Sequence, residues 1–515
     1  MISNLLDLRQ EIQSEVDKLL DLVTGKEAQS ATVDHIERGL FRSLLKLGAK
    51  LLLLFFATRA QNSSRGPLQM EDGQEVPYHS EKKRSHFSIF GKLPFWRPYF
   101  YKSGVGGQSP LDAELSLGSD CYSDFLREMA EYLGVYVAYH KATDLQARFF
   151  DLEVSTRVLQ QIIDTDAVDV EAFYAQKPPP SPDAEADILV IQADGKGVPM
   201  VLETPMEPQV RLGKGEKRGR KKEAIVTSVY TIASAPRTPE EVVARYFHQD
   251  PKPVDQTVDS KRPKPQNKQV WATLQGKDVA LARLAKQVVS RQGDHLRDLI
   301  ALCDGCEALQ TRIAACFSAF TLILDFIHAD EYLWKVANSL LGETNEQRTE
   351  WVAQRALQML SGKTEQIIAE FRCLAQEPKH TVSQREQLTQ TANYFERNLP
   401  YMDYPTYLSK GWPIASGVIE GACRHLVKDR MELSGMRWTQ DGAENLLHLR
   451  AVAENEDWEA FHEFRKRQRH TRLYNIPFPS LGLLEAQSFD LTSSRASSRE
   501  HSSAAQNRQE LPLAA

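Results

Sequence analysis

No stretch of this 515-residue sequence is apolar for long enough to cross a bilayer. The most apolar run, LLLLFFA from Leu51 to Ala57, is far too short and follows Arg42, Lys46 and Lys50. It reads as a buried or partner-facing helix. The opening residues, MISNLLDLRQEIQSEVDKLL, bring acids early and lack the basic segment of a signal peptide. Cysteine is scarce. Six cysteines without framework spacing exclude a disulfide scaffold and suggest reduced thiols in a cytoplasmic setting. A basic excess is missing too: the net charge is −6, so any nucleic-acid surface must be local. No internal repeat is visible, which excludes a solenoid. What remains is a soluble globular composition, 42% hydrophobic and 26% charged, on a chain long enough for three or more domains.

Residues 1–59 read as a helical region in which Ile12, Val16, Leu19 and Val23 form one apolar stripe. Residues 60–110, rich in Gly, Ser, Pro and aromatics, suggest short strands and turns. Residues 111–176 carry a helix-turn-helix pattern: a helix from about His140 to Phe149, a turn from Asp151 to Val154, and a second helix capped by Ser155. In that second helix Val158, Leu159, Ile162 and Ile163 make the buried side. Arg157, Gln160 and Gln161 face outward, where a recognition helix meets base edges. An ordinary helical hairpin is the alternative. KPPPSPDAEAD (177–187) reads as a linker, 233–268 as irregular, and 487–515 as a polar, disordered tail.

After the linker the pattern turns to strands. ILVIQADG (Ile188 to Gly195), VPMVLET and AIVTSVYTI (Ala224 to Ile232) read as three consecutive strands. LIALCDG (Leu299 to Gly305) and TLILDFIH (Thr321 to His328) add two more, separated by a helix. Asp194 and Asp304 each follow an apolar run and precede a glycine. Asp325 ends a strand as well and is a rival to Asp304. Acids at the carboxyl ends of neighbouring strands point into the ligand crevice and repel one another unless a cation sits between them. Their hard oxygens select Mg²⁺ or Mn²⁺, and two ions suit phosphoryl transfer. The third acid comes from GWPIASGVIEGACRHLVKDRMELSGMRW, helical from about Ser416. There Glu420, Arg424 and Lys428 recur every four residues, so they share one face. The acid can meet metal and the cations phosphate, or the face can be solvated.

The strings ADGKGV, RLGKGEKRGRKKEAIVTSVYTI, LCDG, ILDFIHADEYLW and SGVIEGACRHLVKDRMELSGMRWTQDGAENLLHLRA resemble Kra-type bacterial insertion-sequence transposases. The resemblance spans roughly residues 85–475. It implies a multidomain α/β chain: an RNase H-like mixed-sheet core in two parts (188–341 and 406–480), an α-helical insertion (342–405), and a largely helical N-terminal region containing the helix-turn-helix. It implies Asp194, Asp304 and Glu420 as catalytic, metal-holding acids. Asp325 and His328 then form an Asp-x-x-His motif in a supporting role, with a packed, hydrogen-bonded pair as the bland alternative. The 116 residues between Asp304 and Glu420 leave room for the insertion. Many relatives carry a Cys-rich metal-binding segment ahead of the core. No Cys precedes Cys121, so no zinc finger is expected there. Asp151 stands where the helix-turn-helix usually has Gly, a departure that Asp tolerates better than most residues.

Several features stay open. Cys303, Cys306, Cys316 and His328 allow a zinc site, but strand alternation sends Cys303 and Asp304 to opposite faces and buried thiols are simpler. Arg211 to Lys222 holds seven bases and one acid. Lys214, Lys217, Arg218, Arg220, Lys221 and Lys222 are expected to bind phosphate between the second and third strands, with a solvated loop as the alternative. Phe464 to Arg472 holds five bases and offers a second phosphate contact. Arg424, Lys428 and Arg430 are expected on DNA, and Trp438 either stacks on a flipped base or packs in the core. The expected function is a DNA transposase acting as a homo-oligomer on double-stranded DNA, both element ends and target, with no membrane or small-molecule partner. A purely hydrolytic nuclease or resolvase and a non-catalytic DNA-binding derivative are the alternatives.

Overall fold

The computed structural model describes residues 5–70, 73–201, 221–247, 263–433 and 435–479. Lys214, Lys217, Arg218, Arg220 and the polar tail lie outside these residues. The protein is mixed α/β and mostly helical, and divides into two compact units. No helix among the described residues is long and apolar enough to cross a membrane.

One unit contains residues 1–87, 92–123 and 467–515. Helices α1 (Leu5–Thr24) and α2 (Val33–Asn62) pair as a hairpin, and Thr32 caps α2 by accepting from the His35 N–H. Strands β1 (Tyr78–Ser88), β2 (Gly91–Lys102) and β3 (Gly106–Gln108) form a small sheet. The LLLLFFA run lies within α2, where Phe56 stacks on Phe95 of β2 at 4.4 Å. Phe41, Leu44, Leu51 and Phe55 remain exposed. Their three- and four-residue spacing through Gly48 makes one heptad-like seam.

The other unit contains residues 88–91 and 124–466. It opens with α3 (Asp124–Tyr136), α4 (Tyr139–Phe150), α5 (Thr156–Asp166) and α6 (Val170–Gln176). Between α4 and α5 the chain turns through Asp151, which takes the left-handed conformation at φ 57°. Ser155 then caps α5 by accepting from Val158 N–H at 3.2 Å. Leu159, Ile162 and Ile163 are buried, while Arg157, Gln160 and Gln161 are exposed.

The five-stranded sheet follows: β4 (Ile188–Pro199), β5 (Lys221–Ile232), β6 (Gln266–Thr273), β7 (Asp298–Cys303) and β8 (Thr321–Leu324), in spatial order β8-β7-β4-β5-β6. β4, β5 and β6 are antiparallel neighbours, and β7 and β8 run parallel to β4. This corrects the expected strand pattern. β4 continues through Asp194-Gly195 to Pro199, so Val198 and Pro199 of VPMVLET belong to β4, while Leu202 to Thr204 lie outside the described residues. The third antiparallel strand is instead QNKQVWAT. The basic run Arg211 to Lys222 therefore falls between the first and second strands in sequence, and its Lys221 and Lys222 begin β5. The stretch read as irregular also holds α7 (Pro239–Tyr246), closed by a Thr238–Glu241 capping box. Its Pro and Lys content hid both elements.

Alternation along β4 serves two cores, which is why its sequence is a continuous apolar run. Ile188 and Val190 join Ile300, Leu302 and Ile323 against helices α10 (Phe326–Leu341), α11 (Gln347–Leu360), α12 (Thr364–Gln376) and α13 (Val382–Asn398). Leu189 and Ile191 face α8 (Lys277–Arg291) and α9 (Glu307–Cys316). Residues 342–405 are thus helical and share the core of the sheet. So do α3 and α5: Ala130, Leu159 and Ile163 pack in one cluster with Trp271, Ile419 and Leu446. The Pro-rich stretch at 177–187 does not separate two bodies, and Lys177 pairs with Asp457 at 2.5 Å.

Candidate active site

The register places the acids. Ala193 of β4 lies opposite Cys303 of β7, and Leu324 of β8 lies opposite Cys303 on the other side. The next residues, Asp194, Asp304 and Asp325, stand in a row across three adjacent parallel strands: Asp304 and Asp325 directly follow the ends of β7 and β8, and Asp194 lies within β4, which runs on to Pro199. Neighbouring strands lie about 4.8 Å apart. Alternation from Val190, Leu302 and Ile323 puts all three on the same face of the sheet.

Each carboxylate is held differently. Asp194 Oδ1 accepts from the Gly195 N–H at 2.6 Å, and its Oδ2 accepts from the Cys423 thiol at 3.4 Å. Asp304 Oδ1 accepts from the Cys306 N–H at 3.1 Å and from the Cys303 thiol at 3.6 Å. Asp325 is fully buried at the N-cap of α10. Its Oδ1 accepts from Ile327 N–H at 2.7 Å, and its Oδ2 accepts from the Ser416 N–H and hydroxyl. Burial pushes the Asp325 carboxyl up against the lowering pull of Ser416 and His328.

Glu420 sits on α15 (Gly417–Ala422), counting Tyr404–Ser409 as α14. It is exposed, and partial burial, then the Asp325 charge, push its carboxyl up. One donor atom each from Asp325, His328 and Glu420 lie within 4.8 Å of one another. Among the described residues no other three His, Cys, Asp or Glu side chains cluster so tightly. The expected trio of Asp194, Asp304 and Glu420 is therefore not the tight one. Asp194 turns toward Cys423, and Glu420 sits with Asp325 and His328. The zinc set of Cys303, Cys306, Cys316 and His328 forms no such cluster. Cys303 is buried, and burial pushes its thiol well up.

The helix bearing Glu420 departs from its expected geometry. It passes into a π turn over Cys423–Lys428 and a last α turn at Asp429–Met431. The wider turn breaks the four-residue spacing that would align Glu420, Arg424 and Lys428. Arg424 and Lys428 are nonetheless exposed, and Arg424 lies 3.5 Å from Asp429. Arg430 is a correction. It is fully buried, donates Nε–H to the Gly134 carbonyl at 2.9 Å, and lies over the Tyr139 and Trp438 rings. Trp438 is likewise core, its indole N–H bonded to the Met431 carbonyl at 3.0 Å. Both serve packing, not DNA.

Of the basic loop, Lys221 pairs with Glu432 and Lys222 donates to Gln440 at 2.8 Å. The run Phe464 to Arg472 lies in the helix Trp458–Tyr474, α17 after α16 (Gln440–Glu454). Its Arg465 is no phosphate contact. It is buried and paired with Asp124 at 2.9 Å and Asp166 at 3.0 Å. Arg467 and Arg472 are exposed.

Four residues near the acids carry no site expectation from the sequence. Ser416 fixes Asp325, Cys423 donates to Asp194, and the insertion reaches the Asp304 corner through Tyr394 and Arg397. A Cβ at Gly305 would meet the Tyr394 ring at 2.3 Å, so the ring's approach requires glycine there. Arg397 donates to the Gly305 carbonyl. Ser416 and Cys423 flank Glu420 in sequence, which was a usable signal; nothing local marks Tyr394 or Arg397.

No protein-family model matches this chain. No curated protein matches it either. Among solved structures, the Drosophila P element transposase strand transfer complex is similar over 69% of this chain and 82% of that chain, at 10% identity and a TM-score of 0.23. That likeness is too slight to identify a fold.

Proposed function

We propose that this chain is a metal-dependent DNA strand-transferase, the transposase of an insertion sequence. The observation that carries the reading is the row of Asp194, Asp304 and Asp325 across three adjacent parallel strands, with Glu420 brought to Asp325 from a helix. Three antiparallel strands followed by two parallel ones, in the order β8-β7-β4-β5-β6, support an RNase H-like core. The turn at Asp151 and the cap at Ser155 support a helix-turn-helix that presents Arg157, Gln160 and Gln161 to DNA. The exposed seam on α2 supports self-association.

The donor set fits divalent cations. Carboxylates of like charge crowd one edge, and one imidazole joins them. Asp194, Asp304 and Glu420 would hold the ions, with Asp325 and His328 in support. When bound, Mg²⁺ or Mn²⁺ supplies activation of the attacking oxygen and charge neutralisation at the scissile phosphate. The protein's own part is positioning. Backbone N–H groups of Gly195, Cys306 and Ile327 fix the three Asp side chains, so little reorganisation is needed when phosphate arrives. Arg397 at the Gly305 carbonyl and the exposed Arg424 and Lys428 supply positive charge for the DNA backbone. A strand-transfer assay with precut element ends tests the reading: joined products support it, and hydrolysis without joining would replace it with a nuclease.

A further inference from the structure

We propose that Asp325 and His328 are themselves divalent-metal ligands, forming with Glu420 a second, nitrogen-containing metal site that shares Glu420 with the centre of Asp194 and Asp304. For its catalytic role this inference rests on the strand-transferase reading; for metal binding it does not. Three observations converge. First, the donor atoms of the three side chains already lie within 4.8 Å of one another, a spread one ion can bridge. Second, two of the three are carboxylates, and no Lys or Arg among the described residues forms an ion pair with either. Two unneutralised carboxylates that close repel, and a cation removes the penalty.

Third, the site is built rather than incidental. Asp325 is fully buried and locked by Ile327 N–H and by the Ser416 N–H and hydroxyl. Ser416 is also the N-cap of α15, so the contact that fixes Asp325 sets the start of the helix that carries Glu420. His328 lies three residues after Asp325, on the same face of the first turn of α10. The two helix starts are pinned together at the ligand atoms. Such support is what holds metal ligands in place.

The donor set assigns the chemistry. Asp194 and Asp304 offer oxygen alone, which suits Mg²⁺. Two carboxylates and one imidazole accept Mn²⁺, Co²⁺ or Zn²⁺ more readily. The site therefore makes the chain more responsive to Mn²⁺ than an all-oxygen centre would be.

The test is Mn²⁺ binding to the full-length protein without DNA, read by electron spin-echo modulation from ¹⁴N and by titrated stoichiometry. The expected result is nitrogen modulation in the wild type, two ions per chain, and loss of the modulation with one ion left in His328→Gln. Asp194→Asn should keep the modulation. His328 is only partly buried, so its replacement leaves the fold intact; Glu420→Gln, at an exposed position, should weaken the same site by roughly 10- to 100-fold. Absence of nitrogen modulation in the wild type, or its persistence in His328→Gln, overturns the site. Failure of strand transfer in a protein that still shows His328-dependent modulation would overturn the functional reading and leave the metal site standing.

Discussion

Arg430 decides which cations near Glu420 belong to the scaffold. Its guanidinium donates to the Gly134 carbonyl, one of the last carbonyls of α3, and so caps that helix. Arg450 does the same at the Val135 carbonyl and also donates to Leu426 at 2.6 Å. Replacing Arg430 with Ala removes a charged hydrogen bond of about 2 kcal/mol and two ring contacts of about 1 kcal/mol each. Against this, burial pushes the Arg430 pKa down to about 10, so the charge carries a desolvation cost of roughly 3 kcal/mol. Removing the side chain recovers that cost but opens a cavity and strands the carbonyl, which together cost about 3 kcal/mol or more. The net expectation for Arg430→Ala is a loss of about 3–4 kcal/mol. Arg430→Met fills the space and should lose less than half of that. Urea denaturation measures both variants, and DNA binding across a salt series separates stability from phosphate contact. An Arg430→Ala protein of wild-type stability, with weaker binding and a shallower salt slope, would refute the structural role.

Three further outcomes follow from the geometry. Arg157→Ala and Lys222→Ala should each lower the salt slope of DNA binding by about one unit and leave the melting temperature unchanged; an unchanged slope removes that residue from the interface. Ser416→Ala should free Asp325 and weaken Mn²⁺ binding about tenfold, and Ser416→Thr should restore most of it. His462 is buried among Glu131, Asp166, Arg465, Asp124 and Lys466, and burial pushes its pKa down to about 3. The native ring is therefore neutral where the unfolded one takes a proton, and stability falls as pH drops from about 6.5 toward 3. At pH 5 the histidine accounts for about 2 kcal/mol of that loss. Glu131, pushed well up by burial and by Asp166, works in the opposite direction. The comparison with His462→Gln isolates the histidine: a variant with the wild-type pH dependence between 7 and 5 contradicts it.

The sequence was most legible where local rules act alone. Asp151 tolerates the left-handed turn, Ser155 is a strong N-cap, and the unbroken ILVI run reflects a strand covered on both faces. It was less legible where tertiary contacts decide. Gln266–Thr273 has exposed polar residues at its start and follows a Pro- and Lys-rich stretch, so only its pairing with β5 marks it as a strand. Arg430 and Arg465 looked like surface bases because nothing nearby in sequence announces the carbonyl or carboxylates that bury them. At the site, Asp304 and Asp325 were readable from their strand-end positions, whereas Asp194, expected to end its strand, lies within β4. The grouping of Glu420 with Asp325 and His328 was not, because it depends on how two helix starts meet at Ser416.

The proposed activity is cleavage and joining of DNA at Asp194, Asp304 and Glu420. The most direct measurement is single-turnover nicking of DNA carrying the element's ends by purified protein in Mn²⁺, alongside a gel-shift titration. Asp304→Asn, whose side chain keeps its shape and loses its charge, should slow nicking by at least about a thousandfold, roughly 4 kcal/mol, with DNA affinity within about twofold of wild type. Nicking by Asp304→Asn at the wild-type rate would contradict the account.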